Sequence, residues 1–202
     1  MAAKRRPKVP QALLIYCEGK TEEAYFNILL DIFRLPRYVK VEVSGQRGQH
    51  LALIDNAVKE RSRFCEAEGL DTEEAECWAV CDDDGMTCSY TELERYSEER
   101  DVHLAYARPQ GESFLRQHFE QSGETDICEI FHRLTVHRNE NGGAGAYDDS
   151  TKADLAWLAN AINSKPKIVK TAITNSGLRG RTTKSPFLTV QSLAERFIEL
   201  QI

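Results

Sequence analysis

Ala12-Leu13-Leu14-Ile15-Tyr16-Cys17-Glu18-Gly19-Lys20-Thr21-Glu22-Glu23-Ala24-Tyr25-Phe26 is the stretch whose reading decides the fold. Ala12–Tyr16 is a short, continuous apolar run, the pattern of a strand buried on both faces of a parallel sheet. Cys17–Lys20 reads as a turn. Thr21 is then the expected N-cap of a helix, with Glu22 and Glu23 in the first turn, where the helix dipole favours anions. Ala24, Tyr25, Ile28, Leu29, Ile32 and Phe33 recur at helical spacing, which predicts a helix to about Arg34. It stops before Pro36, because a residue preceding proline is pushed out of the α region.

The same alternation continues outward. Tyr38–Val43 alternates and is β-branched, so a second strand is expected, followed by a helix over His50–Glu68. Cys77–Cys81 is another short apolar run, closed by Asp82-Asp83-Asp84-Gly85. Thr91–Arg100 reads as a polar helix and Val102–Ala107 as a strand; Pro109 and Gly111 mark a turn before a helix through Phe119. Strands alternating with helices predict an α/β, Rossmann-like parallel sheet flanked by helices. Beyond it come the glycine-rich stretch Asn141–Gly145 and helical patterns near Thr151–Asn163 and Thr189–Leu200. The expected organisation is a basic N-terminus (1–11), an α/β core (12–122) and a helical C-terminal extension of the same domain (123–202).

The 202 residues, 41% hydrophobic and 29% charged, suit one domain with a single core and argue against wholesale disorder. No apolar run approaches the ~18 residues of a membrane-spanning helix. The basic N-terminus is followed only by Ala12–Tyr16, too short for a secretory signal, so the expected location is the cytoplasm. Six cysteines without a Cys-x-x-Cys pair read as free thiols rather than as a zinc or disulfide set.

The net charge of −6 argues against a passive, nonspecific DNA binder, yet it averages over a strong asymmetry. Asp55–Asp101 holds 16 acids against 5 bases, whereas Ser164–Leu188 holds Lys165, Lys167, Lys170, Arg179, Arg181 and Lys184 and no acid. With Lys4, Arg5, Arg6 and Lys8, that tract could contact phosphates; a solvated face is the plainer alternative. Lys20, close to a helix N-terminus that favours anions, is a further candidate phosphate contact.

Ligands of parallel α/β sheets sit at the carboxyl ends of strands. Two expected strands end there in acid, one in Glu18 and one in Asp82-Asp83-Asp84. In an extended segment Asp82 and Asp84 share a face and Asp83 points away. If the strands are neighbours, their carboxylates converge and repel unless a hard cation neutralises them; Mg²⁺ or Mn²⁺ fits such oxygen ligands. His118 is expected to pack rather than to act chemically.

These residues resemble the RloB-like family. Leu14–Phe26, with its apolar strand, Cys-Glu-Gly, Thr-Glu and Tyr-Phe, is similar to that family's opening block, and Trp78–Asp84 to its strand ending in Asp-x-Asp. Arg108–Glu120 resembles its third block and Ser185–Val190, followed by Leu193, its closing motif. Arg108 and Gly111 stand where the third block usually has Asn and an aromatic, and Asn141–Gly145 lacks a lysine the resemblance leads one to expect.

The resemblance implies a Toprim-type fold and a Mg²⁺- or Mn²⁺-dependent nuclease cutting RNA or DNA, with a role in antiphage or abortive-infection defence. It makes Glu18 a general acid/base or metal ligand, Asp82 and Asp84 metal ligands, and Glu22 and Glu112 further acids able to complete a second metal position. It also implies an ATPase partner of the ABC or AAA type; an oligomer is compatible with it. Two other functions stay open: a module binding a nucleotide signal or a partner without cleavage, and a phosphotransfer or nucleotide-modifying enzyme built on the same acids.

Overall fold

The computed structural model describes residues 9–178 and 188–201. Four parallel strands, β1 (Ala12–Cys17), β2 (Lys40–Ser44), β3 (Ala75–Asp82) and β4 (His103–Ala107), form one sheet in the order β2-β1-β3-β4. Between them run α1 (Lys20–Ile32), α2 (His50–Glu68) and α3 (Tyr90–Glu98). After β4 come α4 (Glu112–Arg116), α5 (Ile127–Glu140), α6 (Ala156–Ser164), α7 (Lys167–Leu178) and α8 (Val190–Leu200). This is the expected Rossmann-like α/β architecture.

β1 lies between two strands and two helical layers, so all six of its residues are 0% exposed. The pleat sends alternate residues to opposite faces. Leu13, Ile15, Cys17, Trp78 and Val80 share a core with Tyr25, Phe26 and Leu29 of α1, Phe114 of α4 and Phe197 of α8. Leu14, Tyr16, Cys77, Ala79 and Cys81 face Leu53, Ile54 and Ala57 of α2 and Leu93 of α3. Each buried leucine or isoleucine contributes roughly 1.5–3 kcal/mol relative to exposure, which makes the unbroken apolar run of β1 the centre of the molecule.

Several boundaries differ from the sequence reading. α1 is capped by Gly19 in extended conformation without a side-chain hydrogen bond, and Thr21 is buried inside the first turn. The helix before Phe119 is only α4, five residues long, with turns beyond it. α5 and α7 are additions, and both conceal their buried faces. α5 buries Ile130 and Leu134 with the polar His137 and Arg138; α7 buries Val169, Ala172 and Ser176, side chains too small or too polar to mark an apolar stripe. The edge of β4 is closed by the chain entering α8: Leu188 pairs antiparallel with Ala107, and the Thr189 N–H donates to the Tyr106 carbonyl at 2.7 Å.

Candidate functional site

From β1 the chain crosses to β2 on one side, and β3 then returns to the other side of β1. The strand order therefore reverses between β1 and β3, the place where open parallel sheets leave a crevice at their carboxyl ends. Glu18 and Asp82 stand at that point. The Glu18 N–H continues the ladder to the Val80 carbonyl at 2.9 Å, and Asp82 is the last residue of β3. The cleft between them has a volume of about 320 Å³, and Glu18, Lys20, Glu22, Asp82, Asp84 and Glu112 all line it.

The triple aspartate divides as the pleat demands. Asp82 and Asp84 line the cleft, and the Asp84 N–H donates to Asp82 Oδ1 at 3.0 Å. Asp83 turns toward β4, where it accepts from the Tyr106 hydroxyl at 2.5 Å and pairs with Arg108 at 3.1 Å.

Glu22 reaches the cleft through a gap left by two glycines. A Cβ on Gly19 would stand 2.6 Å from Glu22 Oε2, and one on Gly111 would stand 2.5 Å from Oε1. The position where the resemblance leads one to expect an aromatic is therefore the one that must carry no side chain for Glu22 to sit as it does. Glu112 begins α4, is buried, and takes a long hydrogen bond of 3.4 Å from the Tyr147 hydroxyl.

Crowding these acids disfavours their charged forms. Burial, with the charges of Asp82 and Glu22 behind it, pushes the Glu18 carboxyl up to about 8, against hydrogen bonds from the Gln49 side chain and the His50 main chain. Burial and the Glu112 charge push Glu22 up to about 7. Asp82 and Glu112 are raised as well, again chiefly by burial. Glu18 Oε2 is buried without a hydrogen-bond partner. Among the described residues no three His, Cys, Asp or Glu side chains form a ready-made metal cage. An all-oxygen set with an orphaned carboxylate oxygen fits a hard divalent cation held by one or two carboxylates plus waters, as Mg²⁺ commonly is.

Lys20 is exposed on the rim of this cleft. The other candidate phosphate contacts, Arg179, Arg181 and Lys184, lie outside the described residues, as do Lys4, Arg5, Arg6 and Lys8. His118 is buried in the core, its Nε2 3.2 Å from the Tyr25 hydroxyl and its ring against Phe114.

The structure adds members that the sequence reading missed. Lys152, from the loop after α5, lines the cleft and donates to Asp149 Oδ1 at 3.0 Å. Burial lowers its affinity for a proton, but the Asp149 hydrogen bond and the Glu112 and Glu22 charges outweigh that and raise it. A lysine thus does reach the acids, from position 152 rather than from Asn141–Gly145. The sequence reading puts Lys152 in a helical pattern near Thr151–Asn163; the helix α6 begins only at Ala156, and Lys152 follows a turn in which Asp148 Oδ1 accepts from the Ser150 and Thr151 N–H groups. His50, at the start of α2, places Nε2 3.2 Å from the Asp82 carbonyl and 3.9 Å from Glu18 Oε2.

The family model described as RloB-like protein matches residues 13–195. The chain belongs to the RloB-like family. No curated protein and no solved structure matches it. The matched span of this RloB-like chain contains every residue that lines the cleft, from Glu18 to Ala153. No helix among its described residues is long and apolar enough to cross a membrane.

Proposed function

We propose that this RloB-like protein is a Mg²⁺- or Mn²⁺-dependent nuclease of the Toprim type, acting in antiphage defence. The observation that carries the reading is the convergence of Glu18 after β1, Glu22 of α1, Asp82 of β3 and Glu112 of α4 on one cleft at the switch point of the sheet. When bound, a divalent cation supplies an activated water and stabilises charge on the phosphate and the leaving oxygen. Asp82 and Glu18, with Asp84 beside them, are the residues to hold it, and Glu22 and Glu112 the ones to extend the acid wall toward α4. Lys20 and Lys152 are the cations placed to bind non-bridging phosphate oxygens and orient the strand. With its carboxyl raised to about 8, Glu18 holds a proton near neutrality while no cation is bound, which suits a group that exchanges protons during the reaction.

The test is incubation of the purified chain with labelled tRNA, single-stranded RNA and plasmid DNA in Mg²⁺, Mn²⁺ or EDTA, beside an Asp82→Ala/Asp84→Ala variant. Cleavage that needs metal and vanishes in the variant supports the reading and identifies the polymer. If neither metal produces cleavage, with or without an ATPase partner, the cleft is that of a binding module and the nuclease reading fails.

A further inference from the structure

The sheet separates charge. The acid-rich span Asp55–Asp101 supplies α2 and α3 on one face, while cations gather around the far end of α1. Arg34 and Arg37 follow α1 and line a groove of about 500 Å³ with Leu35, Pro36 and Val41. Phe33 lines that groove and also a second one, of about 670 Å³, which Lys167, Lys170, Thr171 and Thr174 of α7 share with Ile198 of α8. Those four α7 residues sit at i, i+3, i+4 and i+7, so one helix face presents two ammonium groups and two hydroxyls.

Arg34, Arg37, Lys167 and Lys170 are all exposed, and among the described residues none of them has an ion-pair partner. Their neighbour Lys40 differs, being paired with Glu68. Asp31 is the one acid among the residues lining either groove. Beside Arg37, Tyr38 is 65% exposed, the most exposed large apolar side chain among the described residues. Burial does not explain that ring, and the unpaired guanidinium groups beside it suit a ligand that is both anionic and aromatic.

We propose that this surface is a docking site for single-stranded nucleic acid, separate from the acidic cleft. Arg34, Arg37, Lys167 and Lys170 contact successive phosphates, the Thr174 hydroxyl donates to a phosphate oxygen while that of Thr171 stays on the Lys167 carbonyl at 3.3 Å, and an unpaired base stacks on Tyr38. Cations and hydroxyls are the groups that commonly bind the sugar-phosphate backbone, and stacking on an aromatic ring tolerates any base. Ten residues of α1 separate Glu22 from Ile32, about 15 Å along the helix, so the surface anchors a strand away from the acids that would otherwise repel it. The carboxylates of an acidic protein segment would use the cations alone, whereas every nucleotide also brings a base able to stack on the exposed ring.

The experiment is fluorescence anisotropy with labelled oligo-dT and oligo-U of about 20 nucleotides, long enough to fill one such site. It is run in EDTA over a salt series, so that binding is read without cleavage. Replacing all four cations (Arg34→Gln/Arg37→Gln/Lys167→Gln/Lys170→Gln) should lower the slope of log K against log salt by about 3, near 0.7 per lost phosphate contact. Tyr38→Ala should weaken binding at least about fivefold. Lys167→Arg/Lys170→Arg should retain binding, and so should Arg63→Gln/Arg95→Gln on the acidic face.

Absence of binding by the natural chain overturns the proposal. So does an unchanged salt slope in a quadruple variant that keeps its circular-dichroism spectrum and Tm. Displacement of oligo-dT by polyglutamate as effectively as by unlabelled oligo-dT overturns it too, and assigns the surface to an acidic protein. Loss of cleavage with binding intact counts against the cleft alone.

Discussion

Arg196 of α8 grips Glu76 of β3 across 120 residues of sequence, with Nε 2.9 Å and Nη2 2.8 Å from the same carboxylate oxygen, Oε2. The side chains are only 9% and 14% exposed, and Trp78 Nε1 adds a bond to the other oxygen at 2.9 Å. The C-terminal helix is therefore locked to the second residue of a core strand by a charged pair that has lost most of its water.

Breaking that pair from one side leaves the buried Glu76 carboxylate with the Trp78 bond but without its counter-ion. Arg196→Met should destabilise the protein by about 3–5 kcal/mol, whereas replacing both partners with apolar residues should cost much less. Urea denaturation of the single and double variants measures the difference. Equal losses in both would show that Glu76 is adequately solvated without the arginine.

The glycines around Glu22 predict a loss of function that stability does not report. A Cβ at Gly111 meets only the far end of the Glu22 side chain, so Gly111→Ala is accommodated by turning the carboxylate away. Its expected cost in stability is within about 1 kcal/mol, while divalent-cation affinity should fall by roughly 10–100-fold, as when the support of a metal ligand is removed. Calorimetric titration with Mn²⁺, beside a melting curve, checks both halves.

Neighbouring aspartates should behave differently. Asp82→Asn should abolish metal-dependent cleavage, a drop of at least about a hundredfold. Asp83→Asn should leave cleavage within about tenfold, but cost on the order of 1–3 kcal/mol because the Tyr106 hydroxyl and Arg108 lose their anionic partner. Parallel rate and unfolding measurements would reverse the assignment if Asp83 proved the more damaging for catalysis.

A cation bound to the folded cleft stabilises it by mass action. At 100 times its dissociation constant, Mn²⁺ should add about 2.7 kcal/mol, which for a chain of this size raises Tm by roughly 5–10 °C. Thermal melts with Mn²⁺ and then with excess EDTA read the rise and its reversal. Asp82→Asn should show no rise; an undiminished one would place the cation elsewhere.

His118 makes stability depend on pH. Burial depresses its proton affinity from 6.5 to about 4, so the folded chain binds fewer protons there than the unfolded chain. Its contribution is fully present above pH 6.5 and is lost as the pH falls toward 4, by about 2 kcal/mol between pH 7 and pH 5. Urea midpoints across that interval should decline in the natural chain and more shallowly in His118→Gln. A parallel decline in both would remove His118 as the cause.

Much of this molecule is legible in its sequence. An apolar run such as Ala12–Tyr16 has one economical solution, a strand covered on both faces, and period 2 at the end of the second run, Cys77–Cys81, assigns Asp82 and Asp84 to one side and Asp83 to the other. α5 and α7 were not legible, because Val169, Ala172 and Ser176 are buried by what surrounds them rather than by their own hydrophobicity.

The linear sequence determined the two-sided burial of β1, the alternation of strand and helix, and the acids that end two strands. All three depend on backbone geometry and solvent transfer acting over a few residues. Only the tertiary structure decided that β1 and β3 are neighbours, that Lys152 and His50 join the acids, and that the groove of Arg34 and Arg37 shares Phe33 with the groove of Lys167 and Lys170. Such meetings depend on strand order and helix packing between segments far apart in the chain, and no local pattern encodes the partner across that gap.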